Sequence, residues 1–113
     1  MEFPPILVIN LDDRPDRLEK IQENFRDWPK LEKVSAIRHE IGMKGCKLSH
    51  LKCLELARKR NYPWVLILED DCLVNPDSLE RFNNILPSLW IRRESFDVFL
   101  GGVTEVKDVS VIQ

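Results

Sequence analysis

The sequence predicts an α/β fold with a mostly parallel sheet, on three observations. Two continuous apolar runs read as strands, ILVINL (Ile6 to Leu11), which suits a strand covered on both faces, and WVLIL (Trp64 to Leu68). Stretches with helical periodicity lie between such runs, bounded by turn residues. Polar clusters, NLDDR and EDD, follow the two runs directly, at the carboxyl ends of the strands, where ligands of parallel sheets bind.

Each element has its own signal. After the first strand, DDRPD opens a helix, with Pro15 suited to its first position. Leu18, Ile21, Phe25 and Trp28 recur at helical spacing until Pro29 ends the pattern. KVSAI (Lys33 to Ile37) reads as a second strand, and HEIGMKG as a loop with two glycines. A second helix is expected from about Cys46 to Arg60, with Leu48, Leu51 and Leu54 on one stripe and His50, Cys53 and Ala57 on the next. Asn61-Tyr62-Pro63 breaks it, and WVLILE is the third strand. Asn75-Pro76-Asp77 starts a third helix carrying Leu79, Phe82, Ile85, Leu86 and Leu89. FDVFLGG (Phe96 to Gly102) reads as a fourth strand, and the alternating tail VTEVKDVSVIQ as a hairpin or edge strand.

At 113 residues the chain is expected to be one domain, 1–113. A net charge of −2 gives no global basic field that would suggest nucleic acid. Locally, Arg38 to Arg60 holds seven Lys/Arg against Glu40 and Glu55, either a solvated face or a basic wall for an anion. There is no apolar run of about 18 residues for a transmembrane segment. The N-terminus lacks a basic region and a cleavage site, so a cytoplasmic location is expected. Cys46 and Cys53 stand seven residues apart on one helix, roughly 10 Å along its axis, too far for a disulfide. A zinc site built on Cys46, His50 and Cys53 finds no fourth ligand in the sequence.

Three constellations carry chemistry. In Glu69-Asp70-Asp71, strand alternation would send Glu69 and Asp71 to one side and Asp70 to the other. Carboxylates at i and i+2 can share a hard cation, Mg²⁺ or Mn²⁺, together with phosphate oxygens; the bland reading is an acidic helix start. In NLDDRPDR, Arg14 and Arg17 can grip phosphate bidentately, or Arg17 can pair with Asp13 at i, i+4. In LSH, Ser49 and His50 fall on different helix faces and make no nucleophile–base pair. Neither GxGxxG nor GxxxxGK[ST] occurs.

Taken together, VINLDDRPDR (Val8 to Arg17), GCKLSH (Gly45 to His50) and LILEDD (Leu66 to Asp71), in that order, resemble glycosyltransferase family 25. That group includes lipopolysaccharide β-galactosyltransferases and procollagen galactosyltransferases. The resemblance implies a GT-A-like (Rossmann-like) nucleotide-sugar domain, its sheet flanked by helices and incomplete at the C-terminus. It implies transfer of a hexose, galactose or glucose, from a UDP-sugar to a hydroxyl of a glycan or hydroxylated protein, with inversion. EDD would stand in place of a DxD-type motif, with Asp71, helped by Glu69 or Asp70, holding Mn²⁺ (or Mg²⁺) against the diphosphate. Asn10, Arg14 and Arg17 would line the nucleotide side, with Ser49 and His50 as donor contacts. Asp97 is the candidate base by elimination, although it sits near the start of its strand.

The sequence departs from the family pattern in two places. The connection from Ala36 to Gly45 is short, and the chain ends soon after FDVFLGG, where the family continues into a glycine- and aromatic-rich acceptor half. The alternative is therefore a non-catalytic donor-binding or interaction module, associating through surface that the short C-terminus leaves exposed. A Mg²⁺-dependent phosphotransferase is a weaker third reading, since no nucleophilic Asp stands out.

Overall fold

A computed structural model describes residues 2–95. Its elements are β1 (Ile6–Asn10), α1 (Pro15–Asn24), β2 (Leu31–Ser35), α2 (Gly42–Lys59), β3 (Leu66–Glu69) and α3 (Ser78–Ile91). The fold is α/β, as the sequence predicts. The strands form an open parallel sheet in the order β2-β1-β3, with Ile6 of β1 opposite both Leu31 and Leu66. The expected FDVFLGG strand and the tail lie outside the described residues. No helix among the described residues is long and apolar enough to cross a membrane.

Residues 2–79 form one compact unit, and the described residues from Glu80 onward belong to a second. In the first unit β1 is buried along its whole length, and its alternation builds two cores. Ile6 and Val8 pack with Ile21, Phe25 and Leu31, joined by Leu18, Trp28, Leu66 and Leu68. Leu7 and Ile9 pack with Val34 and Cys53, joined by Leu56, Val65 and Ile67. One core thus lies under α1 and the other under α2. Burying each of the larger side chains contributes about 1.5–3 kcal/mol. In the second unit the described residues continue α3, which contains Pro87. The Arg93 guanidinium lies 4.1 Å from the Trp90 ring centroid.

Element boundaries differ from the sequence expectation for local reasons. Helix α1 stops at Asn24, yet Phe25 and Trp28 still pack together, with ring centroids 5.0 Å apart. A turn in which Trp28 N–H donates to Phe25 O at 2.9 Å keeps the helical spacing without the helix. Helix α2 begins at Gly42, so both glycines expected in a loop are helical. A Cβ on Gly45 would stand 2.8 Å from Ile37 O and 3.3 Å from His39 N, so the glycine lets the β2–α2 connection cross the helix closely. Packing follows the small residues: Gly45, Ser49, Cys53 and Ala57 are the buried stripe of α2, while Leu48, Leu51 and Leu54 are 39–50% exposed. The helix ends in a Schellman motif. Asn61 takes φ 58°, with Tyr62 N–H donating to Ala57 O at 2.9 Å and Asn61 N–H to Arg58 O at 3.1 Å.

Candidate functional site

The carboxyl ends of β1 and β3 lie side by side because the two strands pair in parallel, Ile9 opposite Glu69. Asn10, the last residue of β1, shares the face of Ile6 and Val8 and is 1% exposed. Its Nδ2 donates to Arg14 O at 3.0 Å and to Asp70 Oδ2 at 2.9 Å. Both partners are acceptors, which fixes the orientation of the amide. Its Oδ1 is buried without a hydrogen-bond partner among the described residues. A buried unpaired acceptor of this kind costs about 1–3 kcal/mol.

Asp70 is held from a second direction by Arg17 Nη1, 3.4 Å from Oδ1, and its side chain is only 12% exposed. The Asp13–Arg17 pair offered by the sequence does not form, since Asp13 takes Arg38 at 2.7 Å. Arg14 instead grips Asp16 through two bonds of 3.0 Å, which hold the Asp16 carboxyl down to about 2. Asp12 accepts from Lys33 at 2.9 Å and Ser35 at 2.7 Å, and these bonds lower its pKa, Lys33 contributing most.

The strand geometry expected for the EDD triplet holds for one step and then fails. Glu69 follows Val65 and Ile67 onto the α2 side, and Asp70 follows Leu66 and Leu68 onto the α1 side. The strand then turns, with Cys72 N–H donating to Glu69 O at 3.0 Å, and Asp71 no longer alternates. Asp71 lines one depression with Asp70, Arg17, Lys20 and Leu73. Two acids and two cations thus meet there. Lys20 escaped the sequence reading, although its position three residues after Arg17 places both on one helix face.

On the α2 side, Cys46 Sγ donates to Glu69 Oε1 at 3.2 Å, and His50 Nδ1 lies 2.9 Å from Cys46 O. The Glu69 carboxylate raises the Cys46 pKa, and burial adds to the rise. Ser49 is 1% exposed and fully engaged: it donates to Gly45 O at 2.7 Å and accepts from Ile37 N–H at 2.8 Å, pinning the β2–α2 connection to the helix. Of the basic run, Lys52 reaches Ser35 O and Arg60 reaches Glu32, so both cations serve partners on β2. Asp97 lies outside the described residues.

Comparison with curated proteins yields no match. A family model described as glycosyltransferase family 25 (LPS biosynthesis protein) matches residues 38–100, more than half of the 113-residue chain. GCKLSH and LILEDD fall inside the matched region, and VINLDDRPDR precedes it. The family implies transfer of a sugar from a donor to an acceptor, and the chain belongs to glycosyltransferase family 25.

Proposed function

We propose that the depression beside α1 binds the diphosphate of a nucleotide-sugar, a UDP-hexose, for transfer to an acceptor hydroxyl. The observation that carries this reading is the meeting of Asp70 and Asp71 with Arg17 and Lys20 at the carboxyl edge of a parallel sheet. Exposed carboxylates are hard oxygen donors, which fit Mn²⁺ or Mg²⁺, and adjacent cations fit the phosphate charge. Asp71 is exposed, whereas both oxygens of Asp70 are engaged, so Asp71 would be the principal metal ligand and Asp70 its anchored neighbour. A bound cation would neutralise charge on the departing diphosphate.

The residues of the chain do the positioning. Asn10 and Arg17 fix the Asp70 carboxylate, and so the turn carrying Asp71, before any donor arrives. Arg17 can turn from Asp70 toward a phosphate, and Lys20 adds charge without geometric demand. Glu69 faces away from this depression, so a cation here would draw on Asp71 and Asp70.

Calorimetry with UDP-galactose and UDP-glucose, with and without Mn²⁺, tests the proposal. Metal-dependent binding that Asp71→Ala weakens at least about tenfold, about 1.4 kcal/mol, supports it. Binding that ignores both the metal and the substitution sinks it. Transfer to an acceptor, or hydrolysis of the donor, then separates an enzyme from a module that only binds.

A further inference from the structure

Across the strand end from that depression, three side chains of different chemistry converge. Cys46 and His50 stand one turn apart on α2, and Glu69 is the last residue of β3. Cys46 Sγ lies 3.2 Å from Glu69 Oε1 and 3.7 Å from His50 Nδ1, and all three ligand atoms fall within 4.8 Å of one another. In a tetrahedral zinc site, bonds of about 2.3 Å to sulfur and 2.0–2.1 Å to nitrogen or oxygen place neighbouring ligand atoms roughly 3.6 Å apart. The two sulfur distances bracket that value. Cys46 and Glu69 are exposed and His50 is half-buried, so an ion can reach them. Cys53, the partner that sequence spacing suggested, is fully buried in the α2 core and cannot join them.

The geometry points to a zinc site formed by the Cys46 thiolate, the His50 imidazole and the Glu69 carboxylate, with the fourth position open to water or another ligand. Binding would displace the thiol proton to solvent, leaving sulfur as the anionic donor. His50 would exchange its Nδ1 contact with the Cys46 carbonyl for the metal, its proton moving to Nε2 through solvent. A thiolate–imidazole–carboxylate set favours Zn²⁺ over Mn²⁺ or Mg²⁺, which prefer oxygen ligands. The two faces of one strand end would therefore sort cations by softness. An ion here would tie α2 to the end of β3.

Cobalt substitution in the full chain tests this. Chelator-treated protein titrated with Co²⁺ should show the intense visible bands of tetrahedral cobalt and a sulfur-to-cobalt charge-transfer band, both bleached by equimolar Zn²⁺. Cys46→Ser should abolish the charge-transfer band. It should also weaken Zn²⁺ binding on the order of 100-fold or more, since even outer-shell changes cost 10–100-fold. Glu69→Gln should weaken binding about 10-fold or more while keeping the band, and Asp71→Ala should change neither. As a second readout, Zn²⁺ should protect Cys46 from alkylation, mapped by mass spectrometry. A charge-transfer band that is missing from the native chain, or that survives in Cys46→Ser, overturns the assignment. Alkylation of Cys46 at the same rate with and without Zn²⁺ does so too.

Discussion

Asn10 Nδ2 sits 2.9 Å from Asp70 Oδ2, a bond across 60 residues of sequence that ties the end of β1 to the turn after β3. Removing it with Asn10→Ala leaves a largely buried carboxylate short of a donor. Stability should fall by about 1–3 kcal/mol in urea denaturation. Asn10→Asp should be worse at neutral pH, because it sets two carboxylates against each other. Its deficit should shrink at acidic pH, where protonating one of the pair relieves the repulsion. Equal deficits at both pH values would show that the contact matters only as packing.

The two helical glycines of α2 should respond in opposite senses. Gly45→Ala forces a Cβ to 2.8 Å from Ile37 O and should cost about 1–3 kcal/mol. Gly42→Ala meets nothing within 4 Å and should gain from a few tenths to about 1 kcal/mol through helix propensity. Thermal melts of the pair decide the matter, and similar melting temperatures would contradict the close crossing.

Ser49→Ala should destabilise by about 1–3 kcal/mol, because Ile37 N–H loses its buried acceptor. Ser49→Thr keeps the hydroxyl and tests whether the bond or the space is limiting. Amide exchange at Ile37 should quicken in the alanine variant and stay slow in native protein.

The Asp16 carboxyl should titrate at about 2 by NMR, against 3.8 for a free group, because Arg14 holds it ionised. A depressed carboxyl contributes stability that is present above the unfolded value and lost as pH falls through the folded one. The window is therefore between about 4 and 2. Arg14→Gln should return the titration to the ordinary range. An unchanged midpoint would mean that other groups hold Asp16.

The parts of the fold that the sequence revealed are those where one residue type answers to one force. ILVIN was readable because full burial demands an unbroken aliphatic run, and the strand before EDD carries such a run although its residues are only half-buried. The glycines of α2 misled because a helix and a loop both use Gly, and only the crossing at Ile37 O distinguishes them. Leu48, Leu51 and Leu54 share one stripe at helical spacing but stand exposed, since the close approach of α2 selects the small residues of the neighbouring face instead. At the site, alternation correctly separated Glu69 from Asp70. It could not foresee the turn that returns Asp71 to Asp70, because the hydrogen bond closing that turn involves only backbone. Cys46 and His50 carried an i, i+4 signal, but Glu69 joins them through tertiary packing that no local pattern encodes.

Among the described residues β1 alone has a strand on each side, and it is buried throughout. Opening it means breaking both ladders and both cores at once, whereas β2 and β3 can each fray from one edge. Native-state hydrogen exchange should therefore rank Leu7, Val8 and Ile9 as the slowest amides of the unit, near the limit set by global unfolding. Asn10 is the terminal residue of that strand. The polar cluster around Asp70 is thus fastened to the part of the molecule that opens least often, so its geometry should last as long as the native state itself.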